Sequence, residues 1–215
     1  EAEEEGIPIN KDYIEKLKVD LEQQYAEVRT EVEARLGIKN PNSSQQCAKA
    51  LFGELKMENN YGGSTDDFVL STLERINKDV SYIRKARKLF SLLRKYIIPM
   101  SNRWPGEDGK LYTFYKIWGT PTGRLSAGER RDKDRPFYPA QTTPRESFIR
   151  DAFEAEDGYS LISIDHSQLE LRIAAWVSRD PTLMSIFSRG IDLHSFTLTE
   201  IMGLPFTKEN RFNAK

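Results

Sequence analysis

The chain carries, at residues 160–176, the stretch Ser160-Leu-Ile-Ser-Ile-Asp165-His-Ser-Gln168-Leu-Glu170-Leu-Arg172-Ile-Ala-Ala-Trp176. In its first half, Ile162 and Ile164 share one face, the period of two that is typical of a half-buried strand. In its second half the apolar residues recur at helical spacing, at Leu169, Ile173 and Trp176. The stretch therefore predicts a strand that runs into a helix, with Asp165 at the junction.

Asp165 has two interpretations. Asp is a preferred helix N-cap, and its charge suits the helix dipole. Alternatively, a carboxylate that leaves an apolar sheet faces solvent, where it can hold a cation. The second interpretation is favoured because several motifs stand in a fixed order along the chain. They are Asp165-His-Ser-Gln-Leu-Glu-Leu-Arg172, Arg179-Asp180, Gly190-Ile-Asp-Leu-His194 and Arg211-Phe-Asn-Ala-Lys215.

This series of motifs resembles the polymerase core of the family A DNA polymerases, the DNA polymerase I type. The resemblance implies template-directed DNA synthesis, in which a deoxynucleotidyl group passes from a dNTP to a primer 3′-hydroxyl. It implies primer-template DNA and dNTP as partners, and two Mg²⁺ ions as the cofactor of the complete active site. The parent protein is then expected to be a DNA-directed DNA polymerase.

The resemblance also implies the site residues. Asp165 matches the first catalytic carboxylate, a metal ligand, and the main-chain carbonyl of His166 matches another ligand. Family members more often have tyrosine at position 166, and a carbonyl ligand survives this change. The nucleotide-binding residues implied are Gln168, Glu170, His194, Arg211 and Lys215.

Two of these assignments have a clear physical rationale. Glu170 matches the residue that restricts the space for the sugar, since a carboxylate beneath a sugar rejects a 2′-hydroxyl by volume and by an unpaired polar group. Its alternative role is an ion pair with Arg172 or a helix-terminus charge. Arg211 and Lys215 lie four residues apart, which makes one cationic helix face suited to phosphates. Arg172 is expected to orient the carboxylates or the DNA.

Composition restricts the class of protein. The 215 residues suffice for one large domain or two small ones, and 38% hydrophobic with 30% charged content is typical of a soluble globular chain. No apolar run approaches the roughly 18 residues of a membrane span. The acidic start Glu1-Ala-Glu-Glu-Glu5 is unlike a signal peptide. The single cysteine, Cys47, is expected to be a buried structural thiol. We therefore expect an intracellular protein that is not secreted, either cytoplasmic or virus-encoded and acting in a host cell.

The net charge of −1 does not by itself indicate a nucleic-acid partner, but the local distribution does. A cluster of this kind can be a solvated face or a binding surface. Two segments are strongly basic, residues 84–95 and residues 124–135, and they include Arg84, Lys85, Arg87, Lys88, Arg94, Lys95, Arg124, Arg130, Arg131, Lys133 and Arg135.

The first hundred residues predict two long helices. Apolar residues at spacings of three and four predict a helix over 11–36 that ends at Gly37. Ser43 with Gln46 predicts a capping box. A second long helix is predicted from about Asp66 to just before Pro99, antiparallel to the first. By resemblance this pair is the thumb, so Lys85 and Lys88 are expected to contact DNA phosphates.

After Pro99 the pattern favours strands. Residues 111–118 are a β-prone aromatic run, and Gly119-Thr-Pro-Thr-Gly-Arg124-Leu-Ser126 is close to a family motif whose arginine contacts DNA. A plain turn with an exposed arginine is the alternative. Gln141-Thr-Thr-Pro144 stands where the family usually has Gln-Asn-Ile-Pro, which implies a DNA contact for Gln141. Residues 148–153 are predicted to form a strand paired with residues 161–165.

These patterns together predict an α+β fold, in which a long helical thumb hairpin precedes a partial antiparallel-sheet palm and helices that lead into the fingers. The regions expected are 1–100 for the thumb, 101–177 for the palm with the DNA-contact loop and the metal-binding strand, and 178–215 for the start of the fingers.

In the family, a later segment supplies the second metal-binding carboxylate, and this sequence ends at Lys215. The expectation is an incomplete core with little or no activity alone. Two alternatives stay open. The chain could be one subunit of a split polymerase, with a second chain that carries the remaining motifs, or a non-catalytic DNA-binding module.

Overall fold

The structure is a computed structural model that describes residues 2–128, 137–205 and 207. It divides into two compact units, Glu1–Leu161 and Ile162–Lys215. Helices dominate both units, and two small antiparallel sheets lie in the first, so the α+β class predicted from the sequence is confirmed. The boundaries 1–100, 101–177 and 178–215 stay a prediction.

The first unit is mainly helical. Its α-helices are α1 (Ala2–Glu5), α2 (Lys11–Leu36), α3 (Ser44–Ala48), α4 (Asp67–Leu73), α5 (Val80–Leu92), α6 (Ile98–Asn102) and α7 (Ser147–Arg150). Two π-helical segments, whose hydrogen bonds run from residue i to residue i+5, follow α3 and α5 at Lys49–Glu54 and Leu93–Ile97.

Helix α2 has the bounds that its sequence predicts. Asn10 caps its start by accepting a hydrogen bond from the Tyr13 amide at 2.8 Å. Gly37 ends it in the left-handed conformation, at φ 67°, and its amide donates to Glu33 O. Ser43 caps α3 as predicted, although Gln46 bonds the Asn40 amide at 3.0 Å, so only half of the capping box forms.

Helix α2 runs antiparallel to the α5–α6 segment. Lys18, near the start of α2, reaches Ser101 at 3.3 Å. In the middle, the Tyr25 and Phe90 ring centroids lie 5.5 Å apart. Near the end of α2, the Arg35 guanidinium lies 3.2 Å from Asp79. Rising residue numbers on one helix thus meet falling numbers on the other, which confirms the predicted antiparallel pair.

The prediction of a second long helix from about Asp66 to just before Pro99 is wrong in two details. The helix is interrupted at residues 74–79, where the Asn77 side chain accepts a hydrogen bond from the Asp79 amide at 2.9 Å and so competes with the helical backbone. Ile76, an apolar residue within the predicted helix, is 70% exposed there. The helix also continues past Pro99, because the i to i+5 register before α6 accommodates a residue that has no amide hydrogen.

Arg87 joins three segments of the first unit. Its Nε donates to Pro41 O at 2.7 Å, and its two terminal nitrogens donate to the carbonyl and the hydroxyl of Thr65. The neighbouring thiol of Cys47 is fully buried and donates to Pro41 O at 3.3 Å. Burial raises the pKa of this thiol, so Cys47 has the structural role that the sequence predicts.

The strands form two separate two-stranded antiparallel sheets. They are β1 (Ile7–Pro8), β2 (Lys110–Leu111), β3 (Phe114–Lys116) and β4 (Ser126–Gly128). β1 pairs with β2 and β3 pairs with β4. The predicted strand over 148–153 is wrong. Ile149 and Ala152 are both buried three residues apart, as in a helical turn, and Phe153 forms a single bridge to Ile9.

An aromatic cluster packs beneath these strands. Tyr138 lies 5.2 Å from Trp104 and 5.9 Å from Phe153, measured between ring centroids. Tyr138 is 1% exposed, and this burial raises its pKa to about 12. The cluster therefore anchors residues 137–139 to the rest of the first unit.

The described part of the second unit contains the short helices α8 (Leu169–Ser178), α9 (Pro181–Ser188) and α10 (Leu193–Phe196), followed by a π-helical segment at Thr197–Ile201. Asp180 caps α9 and Asp192 caps α10, each by accepting a hydrogen bond from a backbone amide three residues on. Across the described ranges, none of the helices is long and apolar enough to cross a membrane.

Arg87 offers a test of this packing. We expect Arg87→Met to lower the free energy of unfolding by about 2–3 kcal/mol, since it leaves the carbonyls of Pro41 and Thr65 without their charged donor. Lys85→Met, an exposed position on the same helix, should stay within about 0.5 kcal/mol of the parent chain. Urea unfolding measures both, and equal stabilities for the two variants would contradict the assignment.

Candidate functional site

Arg124 lies in the connection between β3 and β4, residues 117–125, which we call the Arg124 loop. The loop has a defined turn. Gly123 donates to Thr120 O at 3.3 Å and adopts φ 74°, a conformation that glycine accepts without strain. The Thr120 hydroxyl donates to Arg124 O at 2.9 Å. These bonds fix the main chain of Arg124 while its side chain is exposed.

Gln141 lies against this hairpin. It belongs to the single 3₁₀ turn Ala140–Thr142, and its amide oxygen accepts from the Ala127 amide while its amide nitrogen donates to Leu125 O. Both polar groups of the side chain are thus engaged within the protein. The DNA contact that the sequence predicts for Gln141 stays a prediction.

The predicted basic surface on α5 is partly neutralised. Arg84 lies 2.7 Å from Asp67 and 2.6 Å from Glu74, and Lys88 lies 3.0 Å from Glu146. The hydrogen bonds to Asp67 and Glu74 raise the pKa of Arg84. The hydrogen bond from Arg84 lowers the pKa of Asp67, and the hydrogen bond from Lys88 lowers the pKa of Glu146. Lys85 is exposed on the same helix and is the stronger candidate for a phosphate contact.

Asp165 and His166 lie in an exposed, irregular segment before α8, so the strand predicted for residues 160–165 is wrong. A strand needs a neighbour for its backbone groups, and none of the strands in the described ranges pairs with this segment. The predicted apolar face is exposed as well, with Ile162 at 80% and Ile164 at 85%. Asp165 is therefore accessible to a cation, but no sheet holds it in place.

Gln168 connects two parts of the second unit that carry predicted nucleotide-binding residues. It precedes α8 in the left-handed conformation, at φ 55°, which is strained for a residue with a side chain. Its amide nitrogen donates to Asp192 Oδ1. Asp192 also accepts from the Ser195 amide at 3.1 Å and from its hydroxyl at 2.6 Å. The start of α8, which bears Glu170, is thus tied to the start of α10, which bears His194.

Arg172 is engaged within the same unit. Its Nε donates to Ser167 O at 2.8 Å, and its guanidinium lies 4.9 Å from the centre of the Phe187 ring. It therefore holds the turn after Asp165 against α9. This contact suits a residue that orients the carboxylate segment, one of the two roles expected from the sequence.

The remaining predicted residues cannot be placed, because Arg211 and Lys215 lie outside the described residues. The same holds for the basic residues of the second cluster from Arg130 to Arg135. Within the ranges that the structure does describe, no group of three or more His, Cys, Asp or Glu side chains could hold a metal ion. Asp165 supplies one carboxylate, so these residues do not by themselves make a two-ion site.

Sequence reasoning missed three contacts around these residues. They are the hydrogen bonds between Gln141 and the hairpin, the hydrogen bond from Gln168 to Asp192, and the hydrogen bond from the Tyr115 amide to Glu3 at 2.8 Å. All three join residues that are distant in sequence. No local signal distinguishes a glutamine or glutamate that bonds a remote backbone group from one that faces solvent.

A family model for DNA polymerase family A matches residues 11–215. The chain belongs to DNA polymerase family A. The thermostable DNA polymerase I of Thermus aquaticus is 32% identical over 207 residues, which cover 93% of this chain and 24% of that protein. DNA polymerase I of Helicobacter pylori strain 26695 is 30% identical over 213 residues, 98% of this chain and 23% of that protein.

A solved structure extends this similarity to the fold. The POL domain of Pol1 from M. smegmatis, in complex with DNA primer-template and dNTP, superposes with a TM-score of 0.80 at 27% identity. The match covers 99% of this chain and 38% of that one. This family A chain thus spans about a quarter of the length of its curated relatives, and the part that it spans has the same fold.

Asp192 tests the link between the two parts of the second unit. We expect Asp192→Ala to remove the cap of α10, at a cost of about 1 kcal/mol, and also to loosen the start of α8 through Gln168. Amide hydrogen exchange should become faster at both Ser195 and Arg172, whose amide donates to Gln168 O.

Asp180→Ala is the matched control, because Asp180 caps α9 by the same geometry. Its effect should appear at Leu183 and leave the Ser195 amide unchanged. Unchanged exchange at Arg172 in Asp192→Ala would show that the two helix starts are independent.

Proposed function

We propose that this chain is part of a polymerase core that carries out template-directed DNA synthesis, with transfer of a deoxynucleotidyl group from dNTP to a primer 3′-hydroxyl. The observation that carries the proposal is the match, over 99% of the chain, to a polymerase domain in complex with primer-template and dNTP. Because the chain spans only part of its relatives, the reaction belongs to the whole enzyme, and this chain supplies a share of the site.

The metal chemistry proposed for the whole enzyme uses two Mg²⁺ ions, which lower the pKa of an attacking hydroxyl and neutralise a leaving pyrophosphate. Asp165 is the proposed carboxylate ligand, and the main-chain carbonyl of His166 is the proposed second ligand. Hard oxygen ligands of this kind suit Mg²⁺. The exposure of residues 165 and 166 supports access by an ion. A complete site needs further ligands beyond those that the described residues offer.

The second unit is proposed to bind the nucleotide. Glu170, in the first turn of α8, would lie against the sugar and disfavour a 2′-hydroxyl. Gln168 would border the same space, and His194 would donate to the phosphates. The hydrogen bond from Gln168 to Asp192 supports this grouping, since it ties the starts of α8 and α10. Arg211 and Lys215 complete the proposed set by resemblance alone.

The first unit is proposed to hold the duplex. Lys85 and Lys88 would meet phosphates, and Arg124 would meet a base edge or phosphate in the same role as the family arginine. Lys88 must exchange Glu146 for a phosphate to do so, whereas Lys85 is available directly. Arg172, held against Phe187, is proposed to orient the Asp165 segment and to act on the DNA only through it.

A second candidate function is DNA binding without catalysis, which is favoured because no group of three or more His, Cys, Asp or Glu side chains among the described residues could hold a metal ion. A split polymerase, in which a partner chain supplies the missing ligands, is the third candidate. Primer extension and duplex binding distinguish the three.

Duplex binding is the first test. We expect the 215-residue chain to bind a primed template without sequence preference, and its affinity to fall linearly on a log-log plot against salt. Lys85→Ala should reduce the steepness of that plot by about 0.9, the effect of one lost phosphate contact. Fluorescence anisotropy across a salt series measures it. Lys49→Ala removes an exposed lysine outside the proposed surface and should leave the slope unchanged.

Primer extension is the second test. With Mg²⁺ and all four dNTPs, we expect this chain alone to extend a primer at a rate indistinguishable from that of Asp165→Asn, since one carboxylate does not complete the site. Extension by the parent chain that Asp165→Asn abolishes would instead favour a site completed by another copy or a partner chain. Absence of both extension and duplex binding would contradict the proposed function.

A further inference from the structure

The β3–β4 hairpin is held from both of its outer edges by side chains. Its register pairs Tyr115 with Ala127, between the pairs Phe114–Gly128 and Lys116–Ser126. The Tyr115 amide donates to Glu3 at 2.8 Å, and the Ala127 amide donates to Gln141. Both amides therefore point away from the partner strand, which makes Tyr115 and Ala127 a non-hydrogen-bonded pair.

Gln141 replaces a neighbouring strand along β4. A strand neighbour offers one donor and one acceptor to residues two apart on the same edge. The Gln141 amide does the same, since its nitrogen donates to Leu125 O and its oxygen accepts from the Ala127 amide. Within the described ranges β4 has a single strand partner, β3, so this side chain satisfies backbone groups on an edge that no strand covers.

The satisfied groups adjoin Arg124 directly. Leu125 O, bound by Gln141, belongs to the residue after Arg124, and Arg124 O itself accepts from the Thr120 hydroxyl at 2.9 Å. Two successive carbonyls are thus fixed by side chains from opposite directions. The direction in which the Arg124 side chain leaves the main chain depends on both bonds.

We propose that Gln141 is a positioning residue, which sets the main chain at Arg124 and acts on DNA only through that arginine. The inference rests on the proposed function, in which Arg124 contacts the duplex. It differs from the expectation that Gln141 itself contacts DNA, because both polar groups of its side chain are engaged with the hairpin.

The bond geometry determines which replacements are informative. Methionine has nearly the length of glutamine and neither of its hydrogen-bonding groups. Glutamate keeps an acceptor for the Ala127 amide and loses the donor to Leu125 O. Thr142→Val is the matched control, since Thr142 lies in the same 3₁₀ turn and its hydroxyl donates to Pro139 O at 2.9 Å rather than to the hairpin.

The first measurement uses the protein without DNA. Amide hydrogen exchange at Ala127 should be faster by on the order of tenfold in Gln141→Met, since the amide loses its acceptor. Gln141→Glu should retain most of the protection at Ala127, and Thr142→Val should retain all of it. Parent-like exchange at Ala127 in Gln141→Met would overturn the proposal, whatever the chain does with DNA.

The second measurement is a double-mutant cycle for binding to a labelled primer-template. Arg124→Ala is expected to weaken binding by roughly tenfold, as for a charged contact, and Gln141→Met by a smaller factor. Combined in one chain, the two changes should weaken binding no more than Arg124→Ala alone, because Gln141 acts through Arg124.

The outcomes separate this inference from the proposed function. Effects that multiply in the double variant would mean that Gln141 contacts DNA itself, which overturns the inference and leaves the proposed function standing. Parent-like DNA binding by Gln141→Met would also overturn the inference alone. A parent chain that binds no primer-template would overturn both, and the Ala127 exchange would still show whether Gln141 holds the hairpin.

Discussion

Backbone hydrogen-bonding groups that no neighbouring strand satisfies determine the structure around the functional residues. The outer edges of the β3–β4 hairpin are satisfied by Glu3 and Gln141, so the hairpin and the Arg124 loop are held in one arrangement. No strand in the described ranges gives such support along residues 160–165, and that segment is irregular and exposed. The same requirement therefore fixes the main chain at Arg124, whereas the main chain at Asp165 has no described strand beside it.

Basic side chains are also used for contacts inside the protein. Arg87 binds the Pro41 and Thr65 carbonyls, and Arg84 is held by Asp67 and Glu74. A guanidinium has several donors in one plane, which suits it to join backbone segments as well as to bind phosphate. Two of the basic residues of α5, Arg84 and Arg87, therefore have structural contacts. The surface left to bind a polyanion is less basic than the sequence suggests.

Elements that depend on local residues were predicted correctly from the sequence. Elements that depend on residues remote in sequence were not. The cap at Asn10 and the left-handed Gly37 each act within one turn, and α2 has the expected bounds. Residues 148–153 were ambiguous, because Ile149 and Ala152 fit a helical spacing as well as an alternating one. A strand at 160–165 needs a neighbouring strand to pair with, and an alternating sequence pattern does not show whether one is available.

The residues proposed to hold a duplex and those proposed to bind a nucleotide lie in different units. Arg124, Gln141 and Lys85 belong to the first unit, whereas Asp165, Glu170 and His194 belong to the second. The first has a continuous buried core. The second holds its candidates by short-range bonds, from Gln168 to Asp192 and from Arg172 to Ser167. A carboxylate must be held within a fraction of an ångström to direct phosphoryl transfer. The role proposed for Asp165 therefore requires contacts beyond those of its exposed segment, whereas the hydrogen bonds of the hairpin already fix the main chain at Arg124 for the role proposed there.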